Sequence, residues 1–342
     1  MRYFSAAVLT LFPGFAAAQT EVVVSYPAPT LDRWMYPFNF SAGAETAAPV
    51  FGALDQEGFD DRDAQFIVGW STDGDIPTGF HPQSYVVTSV TVRLVLSAGD
   101  RWEYDPTLDG FATYLPPADP DFRLDADAGR PVELFAIGYR NGFGAESFGE
   151  SSPFTVGSPF PPRESIRNAF AAMIDTAGTA TDVSNQVRDR FDAAPFAVGQ
   201  APLVPGTLAP ADTILTFTVD LSTSAARAYF ARSLASGTVR LVATSLSPAA
   251  GGPGGGTGDP AYPAFYTKEN ALAPLFGFSP SLGLAVTLRP AADTDLDGDT
   301  DSDDVLVFFA AWEAGEEGGD FDLDGDADSD DIIEFFTAWE NG

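Results

Sequence analysis

Two stretches near the C-terminus, DTDLDGDTDSDD at 293–304 and DFDLDGDADSDD at 320–331, repeat one pattern 27 residues apart. Each stretch places seven aspartates in twelve residues and has a glycine at its sixth position. Carboxylates this dense repel one another, so the segment either stays solvated or is neutralised by cations. Because the spacing is kept twice, it predicts a pair of equivalent cation-binding loops rather than a solvated acidic tail.

The register of both stretches is that of a calcium-binding loop. Such a loop supplies oxygen ligands from about six of its twelve positions, namely 1, 3, 5, 7, 9 and 12, with glycine at position 6 for the turn. Position 7 contributes its main-chain carbonyl, here that of Asp299 or Asp326. The predicted side-chain ligands are Asp293, Asp295, Asp297, Asp301 and Asp304 in the first loop and Asp320, Asp322, Asp324, Asp328 and Asp331 in the second. The sequence therefore predicts two Ca²⁺ sites.

Each loop is followed by an apolar stripe with helical spacing. The stripes consist of Val305, Leu306, Phe309 and Trp312 after the first loop, and of Ile332, Ile333, Phe336 and Trp339 after the second. A strand and RPAA at 289–292 precede the first loop, where an EF-hand would have an incoming helix, and the twelfth position is Asp instead of Glu. Each unit is therefore predicted to be a loop with one exiting helix, and the pair a small all-α module.

This duplicated loop-helix arrangement resembles a dockerin domain, over residues 292–342. The resemblance implies attachment to a cohesin-like or other cell-surface protein through the first residues of each helix, Ser302, Asp303, Ser329 and Asp330. Dockerins often have Ser-Thr there and basic residues later in the helix, whereas this segment has Ser-Asp and no base. The difference favours a surface partner other than a conventional cohesin.

The N-terminus, MRYFSAAVLTLFPGFAAA at 1–18, has the layout of a secretory signal peptide, with a short apolar stretch and three alanines before Gln19. We therefore expect a secreted protein, attached to a cell surface and without a membrane span, because no apolar run is long enough to cross a bilayer. The net charge is −32, of which 293–342 contributes −19. A chain this acidic is not expected to bind nucleic acid or anionic lipid.

The body, 19–289, reads as an antiparallel β-sandwich or jelly roll with a few short helices, joined by a linker at 290–292 to the module at 293–342. Short strand-like runs recur between Gly, Pro and Asp clusters, at 21–25, 64–70, 85–98, 132–138, 213–221, 238–246 and 283–288. The run at 85–98 alternates, which predicts that Val86, Thr88, Val90, Val92, Leu94 and Leu96 share one face. Many short strands with proline-rich connections favour a sandwich over a parallel α/β sheet.

Apolar residues at helical spacing predict three helices in the body, at 163–177, 182–192 and 222–235, with Gly237 as the stop of the third. We expect these stripes to pack on a sheet edge. The order TFTVDLSTSAARAYFARSLASGTVRLVATSL, PAFYTKEN and LGLAVTL, within 212–288, resembles the C-terminal half of DNRLRE-type secreted β-sandwich modules. That resemblance implies the sandwich and no particular ligand.

Catalytic residues are not apparent in the body. The chain has no cysteine, and its single histidine, His81, reads as a surface loop residue, so Ser-His-Asp and Cys-His chemistry are not expected. A carboxylate pair for glycoside hydrolysis stays open, because the separation of two acids cannot be read from sequence.

Two weaker possibilities lie in the body. The rings of Trp34, Trp70 and Trp102 either form a platform for sugar rings or, as we prefer, close the end of the core. The acids of GDRWEYDPTLDGF at 99–111, namely Asp100, Asp105 and Asp109, could hold a structural cation.

These patterns together predict a calcium-binding, dockerin-anchored, non-catalytic binding or structural protein in an extracellular polysaccharide-handling setting. Its partners would be a surface protein through 293–342 and polysaccharide through the body. The alternative is a secreted glycoside hydrolase that carries a dockerin.

Overall fold

A computed structural model describes residues 20–54, 56–157, 166–253 and 256–341. The expected signal peptide at 1–18 lies outside the described residues. The described chain is mainly β, with antiparallel sheets, which confirms the predicted fold class at that level.

Thirteen strands and four α-helices occur in the described ranges. The strands are β1 (Thr20–Tyr26), β2 (Leu31–Met35), β3 (Ala47–Pro49), β4 (Gln65–Ser71), β5 (Tyr85–Val95), β6 (Val132–Tyr139), β7 (Ala169–Ile174), β8 (Ala180–Asp182), β9 (Ala197–Val198), β10 (Ile214–Thr218), β11 (Thr238–Ser245), β12 (Ala264–Tyr266) and β13 (Ser281–Leu288). The helices are α1 (Ser224–Ala235), α2 (Ala273–Phe276), α3 (Ser302–Ala314) and α4 (Ser329–Asn341). All seven predicted strand runs contain a strand.

The strands form two large sheets and one small one. The smaller of the two large sheets has the order β1-β13-β5-β10, and the larger has the order β2-β4-β11-β6-β7-β8 with β9 beside β6. Strands β12 and β3 make a separate pair. Every paired strand in these sheets runs antiparallel to its neighbour.

The main hydrophobic core takes side chains from both large sheets. Phe66 and Trp70 of β4 belong to the same buried cluster as Val92 of β5 and Phe217 of β10. This shared core is consistent with a β-sandwich. Trp102 also lies in this cluster. An exposed platform of Trp70 and Trp102 is therefore wrong, and the preferred interpretation, closure of the core, is correct for both.

The predicted helix at 163–177 is wrong, because its described part contains strand β7. The larger sheet is buried on both faces: β7 packs Ala169 and Ala171 into a second core with Phe135, while Phe170 and Ala172 are buried as well. A strand covered on both faces has no polar face, so its sequence does not alternate. The apolar sequence of β7, AFAAMI, is therefore compatible with a buried helix as well as with a buried strand.

The predicted helix at 182–192 is also wrong, because the chain there runs through turns. Buried polar side chains hold these turns against the segment before β4. Asn185 accepts a hydrogen bond from the N–H of Asp61 at 3.1 Å, and Gln186 accepts from Arg62 at 2.9 Å. Hydrogen bonds to a distant segment thus hold these residues in turns instead of a helix. A local pattern of apolar residues does not reveal such bonds.

Strand β5 keeps the predicted alternation only beyond Thr88. Its pairing with β13 shifts by one residue between Ala285 and Val286, which leaves Thr88 as the extra residue of a β-bulge. Val90, Val92 and Leu94 point inward as predicted, but before the bulge Val87 is buried and Val86 is exposed. The predicted face is therefore reversed at the start of the strand.

Helix α1 confirms the third helix prediction. The hydroxyl of Thr223 accepts a hydrogen bond from the N–H of Ala226 and caps the helix, and Gly237 follows its end with φ +76°. Ala226, Phe230 and Leu234 are fully buried in the core between the sheets. The stripe is thus core packing, as expected.

A buried ion pair joins the segment before β4 to strand β6. Arg62 and Glu133 are almost completely buried, and Arg62 Nη1 lies 2.5 Å from Glu133 Oε2. The guanidinium also donates to Gln186 and lies over the ring of Phe135, 5.1 Å from its centroid. The two charges neutralise one another where water does not reach them.

We predict that Glu133→Ala lowers the free energy of unfolding by about 3–5 kcal/mol, because it leaves the Arg62 charge buried without its counter-ion. Urea denaturation of the purified full chain measures this. The control is Asp121→Ala, which removes a partner of the exposed Arg190 and should change stability little. Equal effects of the two substitutions would contradict the prediction.

Candidate metal centre

The two aspartate loops have the same backbone path. Leu296 and Leu323, at position 4 of each loop, have φ of +67° and +66°, and Gly298 and Gly325, at position 6, have φ of +100° and +103°. Positive φ is unfavourable for leucine, so its recurrence at one position marks a shared loop geometry. The repeat in the sequence is therefore a repeat in the structure.

Carboxylate oxygens converge in both loops. Ligand-capable oxygens of Asp293, Asp295 and Asp297 lie within 4.8 Å of one another, and those of Asp320, Asp322 and Asp324 do the same. A further group in the first loop joins Asp299, Asp301 and Asp304. The predicted side-chain ligands of the first loop, and Asp320, Asp322 and Asp324 of the second, therefore lie in groups of neighbouring carboxylates. In the second loop, Asp328 accepts from the N–H of Asp330, and the N–H of Asp326 donates to Asp324.

The first aspartate of each loop leaves one oxygen without a partner. Asp293 Oδ1 faces the N–H of Gly298 at 3.5 Å, and Asp320 Oδ2 accepts from the N–H of Gly325 at 3.1 Å. The other oxygens, Asp293 Oδ2 and Asp320 Oδ1, are buried and have no hydrogen-bond partner. A buried carboxylate oxygen is costly unless something compensates it. A hard cation within the loop would supply that compensation, so the residues present fit such an ion.

The twelfth aspartate ties each loop to its helix. Asp304 Oδ1 accepts from the N–H of Thr294 at 2.6 Å, and its Oδ2 accepts from the N–H of Asp301 at 2.8 Å. Asp331 makes the equivalent bonds to Phe321 and Asp328, at 2.5 and 2.8 Å. Oδ1 of each residue also accepts from a second N–H, that of Asp295 or Asp322, at 3.1 Å. Oδ2 of each residue is therefore the oxygen that keeps a second lone pair for a cation. An aspartate at this position is therefore long enough to serve both the helix start and the loop.

The loops resist ionisation when no cation neutralises them. Burial raises the pKa of Asp320 to about 6, and the charges of Asp331, Asp322 and Asp324 act in the same direction. In the first loop the charge of Asp297 raises the pKa of Asp299. The folded loops thus add the cost of burying carboxylates to the repulsion that the sequence implied.

The two loop-helix units pack around a pseudo-twofold axis. Phe308 and Phe335, which are 27 positions apart, stack on one another with centroids 4.2 Å apart and rings 2° from parallel. Trp312 Nε1 donates to the carbonyl of Asp328 at 2.6 Å, and Trp339 Nε1 donates to that of Asp301 at 3.2 Å. The tryptophan of each helix thus donates to the main-chain carbonyl at position 9 of the other unit's loop.

The predicted partner-binding residues lie on the surface. Ser302, Asp303, Ser329 and Asp330 are exposed at the starts of α3 and α4. One turn further along, Leu306 is 70% exposed and Ile333 is 62% exposed, at equivalent positions. The predicted stripes placed these two side chains in the packing face, which is wrong, and omitted Phe308 and Phe335, which fill it. Two similar exposed faces result, each with a serine, an aspartate and a large aliphatic side chain.

The body contacts the second loop. His81, expected as a surface loop residue, is half-buried and stacks on Phe321, with ring centroids 4.8 Å apart. Gln83 Nε2 donates to the carbonyl of Asp320 at 3.3 Å, and Arg232 Nη2 donates to that of Leu323. Ala292, at the end of the predicted linker, is fully buried beside Phe308. The second loop therefore rests against the turn at 81–83 and helix α1 of the body.

A group of carboxylates in the body shares one lysine. Oxygens of Asp32, Glu150 and Glu269 lie within 4.8 Å of one another, closer than the roughly 5–10 Å between glycosidase carboxyl groups. Lys268 Nζ contacts Glu150 and lies 3.5 Å from Asp32 and 3.3 Å from Glu269. Burial raises the pKa of Asp32 to about 7. The arrangement is that of an ion-pair cluster rather than an open acid-base pair.

Comparison with protein-family models and with curated proteins gives no match. Among the described residues, no helix has the length and apolar character needed to cross a membrane.

We predict that the metal-free second unit is more stable at pH about 4 than at pH about 7. The folded pKa of Asp320, about 6, exceeds its ordinary value of 3.8, so the folded form binds the proton more tightly. That stability is present below the ordinary value and is lost as pH rises through about 6. Thermal unfolding of metal-stripped protein, followed by far-UV circular dichroism, measures it.

Asp320→Asn is the matched variant for this prediction, since the amide keeps the shape and removes the titration. Its helical signal should depend less on pH than that of the wild type. A metal-free wild type whose helices become more stable from pH about 4 to 7 would contradict the assignment.

Proposed function

We propose that this protein is a secreted, non-catalytic binding or structural protein that attaches to a cell-surface or extracellular protein through a calcium-loaded, dockerin-like module at 293–342. The setting we propose is extracellular polysaccharide handling, with polysaccharide as the ligand of the body. The layout of the N-terminus supports export, and the resemblance of the duplicated loop-helix units supports attachment.

The observation that carries the calcium proposal is the unpartnered oxygen of Asp293 and of Asp320. The two occupy the same position of loops with the same backbone path, and each faces a group of carboxylates. The donors are all oxygen, which suits Ca²⁺ or Mg²⁺ rather than zinc. Calcium is favoured because it accepts the irregular, carboxylate-rich coordination that such a loop offers, whereas Mg²⁺ demands near-octahedral geometry and retains water.

Attachment is favoured over calcium buffering by what the module exposes. Leu306 and Ile333 stand on the surface beside Ser302, Asp303, Ser329 and Asp330, and a buffer needs no such face. The pseudo-twofold packing makes these two faces similar, so either can engage one partner.

We expect Asp293→Asn and Asp320→Asn each to remove one calcium equivalent from the full chain. The amide fills the same space but places N–H donors where the unpartnered oxygen stood, so the site rejects the cation. Calorimetric titration of metal-stripped protein with CaCl₂ measures the loss. Asp303→Asn, at an exposed residue outside the proposed ligands, is the control, and equal stoichiometry in all variants would refute the calcium sites.

Attachment has its own test. Replacing both Asp304 and Asp331 by Ala should abolish calcium-dependent retention on the surface proteins of the organism that makes the chain, because each loop loses its tie to its helix. Replacing Ser302 and Asp303 alone should matter little while the second face remains. Retention by the double loop variant, or polysaccharide hydrolysis by the body that an acid-to-amide scan abolishes, would instead support the glycoside hydrolase.

A further inference from the structure

A third group of carboxylates lies in the body, far in sequence from the two loops. Ligand-capable oxygens of Asp105, Asp109 and Asp127 lie within 4.8 Å of one another. They come from two segments, 105–109 and 125–130, that the fold brings together beside Trp102. Of the three acids that the sequence suggested for this region, Asp100 is not in the group, and Asp127 is there in its place.

One oxygen of this group is buried and unsatisfied. Asp105 is fully buried. Its Oδ1 accepts a hydrogen bond from the N–H of Thr107 and lies 2.7 Å from the hydroxyl oxygen of the same residue. Its Oδ2 has no hydrogen-bond partner. This is the same condition that Asp293 and Asp320 show in the two loops, reached here by a different backbone.

The hydroxyl of Thr107 adds a second imbalance. Its oxygen lies 2.7 Å from Asp105 Oδ1 and 2.9 Å from Asp127 Oδ2, yet a threonine hydroxyl has one hydrogen to donate. When both carboxyl groups are ionised, one of the two close oxygen pairs therefore lacks a hydrogen between its atoms. A cation that draws charge from Asp105 and Asp127 would relieve that repulsion.

The nearby base does not neutralise the group. Arg130 pairs with Asp109 at 3.0 Å and with Asp125. The ion pairs of the described residues include none for Asp105 or Asp127. Two of the four carboxylates in this region therefore share the Arg130 guanidinium, and the excess negative charge lies on Asp105 and Asp127, whose oxygens contact the Thr107 hydroxyl.

We propose that Asp105, Asp109 and Asp127 bind a divalent cation of the calcium type, separate from the two loops. The donors are carboxylate oxygens, with the Thr107 hydroxyl between two of them, which suits a hard cation. A cavity of about 450 Å³, lined in part by Asp125, Asp127 and Trp102, gives access from solvent. The ion would join 105–109 to 125–130, and Trp102 Nε1 donates to the carbonyl of Arg130 at 2.8 Å, so the site lies next to the main core.

The test counts calcium in the full chain and follows the body's thermal transition. Metal-stripped wild type titrated with CaCl₂ should bind one equivalent beyond those of the loops, and Asp105→Asn should lose that one. The same loss should occur in a background that carries Asp293→Asn and Asp320→Asn, so that failure of the loop sites is seen separately. Asp105→Asn keeps the acceptor for the N–H of Thr107 and changes only the unpartnered oxygen to an amide.

Two further variants make the test decisive. Asp127→Asn changes an exposed carboxylate of the group and should lose the same equivalent even if Asp105→Asn folds poorly. Asp100→Asn is the control, since Asp100 has φ +58°, which asparagine tolerates, and it should keep the equivalent. Calcium should also raise the body's melting temperature in wild type and Asp100→Asn but not in Asp127→Asn. An unchanged stoichiometry and an unchanged calcium response in Asp105→Asn and Asp127→Asn would overturn the proposal.

Discussion

Buried carboxylate oxygens without a hydrogen-bond partner are the constraint on which the chemistry of this molecule depends. They occur at Asp293, Asp320 and Asp105, each in a group of further carboxylates, and at Glu133, where the charge of Arg62 compensates the oxygen. Ionised carboxylates in such places are costly, because desolvation and repulsion act together. The fold can keep them only if something else contributes, and in both loops backbone N–H groups of the glycine turn and the helix start already face the aspartates. The calcium ions that we propose would neutralise the charge that those N–H groups leave.

The sequence predicts the loops well because their geometry is local. All the predicted ligands of one site lie within a single twelve-residue loop. A spacing rule is therefore enough to assign Asp293 and Asp304 to the same site. The group in the body is different, since Asp105 and Asp127 come from separate segments that the tertiary fold brings together. The sequence suggested Asp100 because it is near in the chain, whereas proximity in space selected Asp127. Long-range pairing is the information that a spacing pattern lacks.

The same distinction explains the fold predictions. Strands covered on one face, such as β13, show an alternating pattern of buried residues, and the pattern located them. Strand β7 is buried on both faces, and the turns after β8 are held by Asn185 and Gln186 from a distant segment, so both were mistaken for helices. In β5 one bulge at Thr88 reversed the face. These errors arise from tertiary contacts rather than from local preference.

Contacts with the body make the second loop more than a local structure. Gln83, in the short helical turn before β5, and Arg232 of helix α1 donate to the carbonyls of Asp320 and Leu323. Leu323 is the residue whose left-handed backbone the loop requires, so these donors help to hold that conformation. A loop that is already ordered loses less conformational entropy when it takes up a ligand. The turn before β5 and helix α1 therefore contribute to the environment of the second loop, and a spacing rule within twelve residues does not describe that contribution.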